Sequence, residues 1–123
     1  MTLAREGRPV HFHANHVSVS ADGDYYQVMF EATKDAIDPE RPYLIIQRQF
    51  EDPDGGVCYV ETHDETYIGH FRVRRIDFSP SGILLEIDRP KANVVEVTFA
   101  IESSEFKRVA RVVDIISGAI EAP

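Results

Sequence analysis

The chain has 123 residues, a single cysteine and a formal net charge of -8 at neutral pH. That length suits one domain, residues 1–123, whose core needs no metal or disulfide staple. The lone Cys58 excludes an internal disulfide, and the acidic balance argues against nucleic acid or anionic membrane as partners, since both attract basic surfaces.

Residues 1–9 read as a loose N-terminal segment. Residues 1–16 lack the apolar core of a signal peptide, and no apolar run approaches the roughly 20 residues of a membrane helix. A cytoplasmic protein is therefore expected. From there the pattern is mostly period-two, punctuated by turn residues. VHFHANHVSVS (10–20) predicts a strand, and ADGD (21–24) a turn with Gly23 free to take positive φ. YYQVMFE (25–31) alternates, with Tyr26, Val28 and Phe30 on one face. Residues 32–42 form a loop ending in two prolines, and YLIIQRQF (43–50) predicts a central strand. EDPDGG (51–56) is a hairpin connection. VCYVET (57–62) alternates again and HDET (63–66) turns the chain.

YIGHFRVRRIDFS (67–79) predicts a long strand. Phe71 and Val73 share one parity, Ile76 and Phe78 the other, so a β-bulge is expected near Arg74–Arg75. ILLEID (83–88) and NVVEVTFAIE (93–102) complete the strands, the latter with Val95, Val97, Phe99 and Ile101 inward. The period then changes to helical over 103–120, with Phe106, Val109, Val112 or Val113, and Ile116 on one stripe. Ser103 or Ser104 is placed to cap this helix, and Gly118 to end it. The predicted fold is α+β: a mainly antiparallel sheet of about seven strands, curved or partly rolled, with one C-terminal amphipathic helix packed on it.

Several short constellations suggest chemistry. HFHANH (11–16) puts His11 and His13 on one strand face, but His16 falls on the other parity and no third ligand is in sequence range. No metal site is assigned. Cys58 is flanked by Val57, Tyr59 and Val60, with His63 beyond the strand end, which reads as a buried, inert thiol rather than a nucleophile. RVRR (72–75) reads as outward strand positions pairing with acids across the sheet. No catalytic residues and no cofactor are assigned.

The strongest compositional feature is residues 51–65. This stretch has six carboxylates, Glu51, Asp52, Asp54, Glu61, Asp64 and Glu65, and no Lys or Arg, so it supplies six of the eight excess negative charges. Polar turns are usually solvated and acidic surfaces aid solubility, which is one reading. The other is a partner-binding surface of Glu51, Asp52, Asp54, Tyr59, Glu61, Asp64, Glu65 and Tyr67, in which the tyrosines add rigid contact area beside the charges.

The order of elements from about residue 10 to 117 resembles the immunity protein 10 family of bacterial polymorphic toxin systems. The resemblance rests on Tyr43, Leu44, Ile45, Gln47 and Arg48; on Tyr59, Val60 and Glu61; on Tyr67 with Gly69; and on the late hydrophobic strand before the helix. It implies a cytoplasmic antitoxin, not an enzyme, that binds and neutralises one cognate protein toxin. Such a toxin would be basic if it acts on nucleic acid. Two other readings stay open: a small-ligand or enzymatic β-roll with a histidine-lined pocket, and a structural or oligomeric module, a homodimer for example, without a toxin partner.

Overall fold

The computed structural model describes residues 10–23, 25–33, 41–49, 57–91 and 93–121. Its elements are β1 (Val10–His13), β2 (His16–Asp22), β3 (Tyr25–Glu31), β4 (Tyr43–Gln49), β5 (Val57–Thr62), a 3-10 turn (Glu65–Tyr67), β6 (Gly69–Ser79), β7 (Gly82–Ile87), β8 (Val94–Thr98) and helix α1 (Ser103–Glu121). The strands make one open sheet in the order β1-β8-β7-β6-β5-β4-β3-β2. Every pairing is antiparallel except β1 with β8.

The expected α+β class is observed, with eight strands among the described residues where about seven were expected. The extra strand arises because residues 10–20 divide at Ala14–Asn15. The Ala14 N–H donates to the Thr98 carbonyl at the end of β8 (2.8 Å), and the next N–H, from Asn15, donates to Glu31 at the end of β3 (2.9 Å). Two successive residues thus hold the opposite ends of the sheet together. A twisted sheet must roll to allow this, so one continuous segment serves as edge strand at both ends.

The roll creates an inside and an outside, and strand parity sorts the side chains between them. Val28 and Phe30, Leu44 and Ile46, Cys58 and Val60, Ile83, Leu85 and Ile87, and Val95 and Val97 are all buried in one core cluster. Strand β6 keeps Val73 inside and then changes register between Val73 and Arg75. Beyond this bulge Ile76 and Phe78 are the residues that pack against the core. The extra residue lets an 11-residue strand serve both halves of the rolled sheet.

Helix α1 packs against β2, β3 and β6, burying Val109, Val112, Val113 and Ile116. A run of rings anchors its first turns: Phe106 stacks on Phe78 (centroids 5.1 Å apart), Phe78 meets Phe99 (5.7 Å), and Phe99 stacks on Phe30 (5.5 Å). Contacts of this kind add roughly 0.5–1.5 kcal/mol each beyond area burial. Both helix ends differ from expectation. The first helical hydrogen bond runs from the Phe106 N–H to the Glu102 carbonyl, which gives Glu102, not a serine, the N-cap position. At the other end the helix continues past Gly118 to Glu121.

Arg48 is the unexpected core residue. It alternates inward with Leu44 and Ile46 and is 4% exposed. Its Nη1 lies 3.4 Å from the Ile116 carbonyl and 3.6 Å from the Cys58 sulfur. The sheet thus sets a buried guanidinium against a backbone carbonyl of the helix five residues before its end at Glu121. Cys58 is 1% exposed, as expected of a packed thiol.

Candidate functional site

The residues that alternate with this core form the outer face of β3, β4, β5 and β6. Cross-strand register sets them in rows. Gln27 pairs with Gln47, Gln47 with Tyr59, and Tyr59 with His70. In the next row Met29 pairs with Ile45 and Ile45 with Glu61. Beyond it Glu31 pairs with Tyr43. Tyr43 is therefore diagonal to Glu61 across β4 and β5, within reach of a long side chain.

Glu61 is the hub of this face. Tyr43 donates its hydroxyl to one carboxylate oxygen (2.6 Å), and Tyr59 donates to the other (2.7 Å). The two phenols stabilise the ionised carboxylate, Tyr43 more than Tyr59, and hold its pKa below the ordinary value against the opposing effect of burial. Each phenol in turn is held protonated. Burial, then the bond to Glu61, raises Tyr43 to about 12. The bond to Glu61 comes first for Tyr59, whose pKa is also raised. Among the described residues no Lys or Arg pairs with Glu61, which leaves one fixed negative charge framed by two rings. The neighbouring row is tied together as well: Gln27 Oε1 accepts from Tyr25 (2.9 Å) and from Gln47 Nε2 (2.7 Å), while the Tyr59 and His70 rings lie 5.2 Å apart.

The rest of the acidic stretch is not gathered there. Glu51, Asp52 and Asp54 lie outside the described residues. Asp64 is used locally: its Oδ1 accepts from the Thr66 N–H (3.0 Å) and hydroxyl (2.8 Å), capping the 3-10 turn. Glu65 is exposed in that turn. Tyr67 requires a correction as a surface anchor, because it is fully buried. It belongs to the 3-10 turn and not to β6, which starts at Gly69 with φ 150°. The turn directs its ring inward, where Arg89 lies over it at 5.0 Å and over Phe71 at 4.8 Å. Burial raises the Tyr67 phenol pKa.

Tyr43, which the sequence reading places at the start of a strand and among the residues of the resemblance but not in the binding surface, is the missed member. Its outward parity was legible, but its position diagonal to Glu61 depends on the β4–β5 register, and no local signal carries that register.

The five histidines go to separate places. His11 lies 3.8 Å from Glu96, His13 Nδ1 is 2.8 Å from the Thr98 hydroxyl, and His16 is 4.0 Å from Glu31. His63 Nδ1 accepts from the Tyr43 N–H (3.2 Å), and His70 lies against Tyr59. Among the described residues no three His, Cys, Asp or Glu side chains are grouped to hold a metal ion. A groove of about 520 Å³ between α1 and β6, lined by residues such as Ile76, Phe78, Phe106 and Val113, contains no histidine. Two of the three RVRR arginines pair with acids, Arg74 across the sheet with Glu86 and Asp88 (2.8 Å each) and Arg75 along its strand with Asp77 (3.0 Å). Among the described residues no helix is long and apolar enough to cross a membrane.

The molecule is thus a rolled, mostly antiparallel sheet with one packed helix, carrying a tyrosine–carboxylate face on its outside. No protein-family model matches the chain, and no curated protein matches it.

Proposed function

We propose that the protein is a non-enzymatic, cytoplasmic immunity protein that binds and neutralises a cognate, basic toxin domain through the outer face of β3–β6. The observation that carries this reading is the Tyr43–Glu61–Tyr59 cluster. Two tyrosines locked by one carboxylate form a pre-ordered contact surface, so little side-chain freedom is lost when a partner docks. The carboxylate between them offers a charge complementary to a partner Arg or Lys.

The surrounding sequence fits the same role. Residues 51–56 and 63–66 adjoin the two ends of β5, roughly 20 Å apart at about 3.4 Å per residue. Asp64 and Glu65 follow Glu61 in the chain, and Glu51, Asp52 and Asp54 precede Tyr59. Charges at a rim accelerate encounter, while desolvated central groups slow release.

The test is co-expression of this chain with the product of its neighbouring reading frame, whose C-terminal domain is expected to be the toxin. Rescue of growth and a one-to-one complex are expected. Tyr59→Ala or Glu61→Gln should weaken that complex by at least about tenfold, chiefly by faster dissociation. Growth arrest unrelieved by the wild-type chain would overturn the proposal. Full protection by Tyr59→Ala and Glu61→Gln would move the binding face elsewhere.

A further inference from the structure

Strand β2 ends the sheet. Its seven residues pair with β3, and among the described residues no backbone bond reaches its other edge. The register sets Asp22 opposite Tyr25 with two residues between them. In such a hairpin the flanking pair exchanges both its N–H and its C=O, and the exchange then recurs at every second residue. Asp22, Ser20, Ser18 and His16 therefore turn their backbone groups to β3. Ala21, Val19 and Val17 turn theirs outward. This edge, HVSVSAD, contains no Lys and no Pro, so it lacks two common devices that keep sheet edges apart.

The strand is also complementary to itself. Antiparallel pairing about a two-fold axis through Val19 sets Val19 against its own copy, Val17 against Ala21, Ser18 against Ser20, and His16 against Asp22. All three outward-facing residues then meet outward-facing residues. The histidine–carboxylate match falls at both ends, where the two groups hydrogen-bond or, with His16 protonated, form an ion pair. Moving the axis off Val19 breaks the His16–Asp22 match and leaves an outward-facing residue without a partner in the strand. Ser20, Ala21 and Asp22 are exposed, while Val17 and Val19 pack their side chains against the core of their own chain, which leaves the outward edge to its backbone.

We propose that two copies of this chain form an isologous dimer by antiparallel pairing of β2 with β2, making one sheet continuous across the two-fold axis. This dimer leaves the outer face around Glu61 uncovered, so it does not depend on the toxin reading.

Sedimentation velocity of the full chain, from micromolar to millimolar concentration, tests it. The wild type should pass from the mass of one chain to that of two. Ala21→Pro removes an outward N–H without touching the β2–β3 ladder, and should remain single at every concentration with an unchanged circular dichroism spectrum. Asp22→Lys sets a cation against His16 and should raise the dimer dissociation constant about tenfold or more. This second variant decides the matter if Ala21→Pro fails to fold. A wild type of one-chain mass throughout, or a dimer that Asp22→Lys leaves equally strong, would overturn the proposal.

Discussion

Tyr43→Phe removes one oxygen atom and little else, which makes it a sharp probe of the outer face. The lost contact is the 2.6 Å bond to Glu61. A hydrogen bond to an ionised group contributes about 1.5–3 kcal/mol. Here Glu61 keeps its second bond from Tyr59, and both partners are only half-buried, so screening and replacement by water bring the expected loss to about 1 kcal/mol. For a domain of this length that is a fall of roughly 3–5 °C in Tm. The lowered Glu61 and the raised tyrosine pKa values partly describe the same bonds, so these effects are not added together.

The pH dependence supplies a second reading of the same bond. The Tyr43 phenol is raised to about 12, by burial first and Glu61 second, against about 10 in an unfolded chain. The native state therefore holds a proton that the unfolded chain releases. Its stabilising contribution is complete below about pH 10 and is lost as the pH rises to about 12. Taken at face value the shift is about 2.7 kcal/mol, and discounting for partial exposure leaves about 1 kcal/mol. Urea unfolding of the wild type, Tyr43→Phe, Glu61→Gln and the double variant, near neutral pH and in that alkaline window, measures both effects. A coupling of about 1 kcal/mol between the two positions is expected, with a flatter alkaline decline in Tyr43→Phe. Coupling below about 0.3 kcal/mol, together with an unchanged alkaline slope, would refute the reasoning.

Substitutions at two further positions probe how the fold is held. Gly82→Ala would place a methyl group 2.9 Å from the Val97 carbonyl oxygen; this should cost about 1–3 kcal/mol through forced separation of β7 from β8, read by thermal unfolding. Arg48→Ala should be more damaging than Arg48→Met, by about 2 kcal/mol, because both remove the cation beside the helix but only alanine leaves a large cavity. Urea midpoints compare the two, and equal losses would show that charge rather than packing sets the cost.

Alternation along the strands determined most of the architecture, because a half-buried strand leaves a period-two record of its own inside and outside. Val95, Val97 and Phe99 read as inward on that record and are fully buried or nearly so. Even the β6 bulge was legible, as a break in phase between Val73 and Ile76. The helix was equally plain from Val109, Val112 and Ile116, although Gly118 did not stop it. Its continuation to Glu121 shows that a local terminator is a weak preference which tertiary context can override.

What the sequence left open were the relations between distant segments. Whether residues 10–20 formed one strand or two depended on Thr98 and Glu31, whose carbonyls accept from the successive N–H groups of Ala14 and Asn15. Arg48 looked like any polar strand residue until α1 was placed beside it. Tyr59 and Tyr67 looked alike as aromatics beside acids, yet a three-residue 3-10 turn buried one and left the other on the outer face. Tyr43 and Glu61 were joined only by the register of β4 on β5. Local pattern specifies which side of a strand each residue occupies, because parity is a property of the chain alone. Which residue sits opposite it is a property of two chain segments, and only their packing into the rolled sheet decided that.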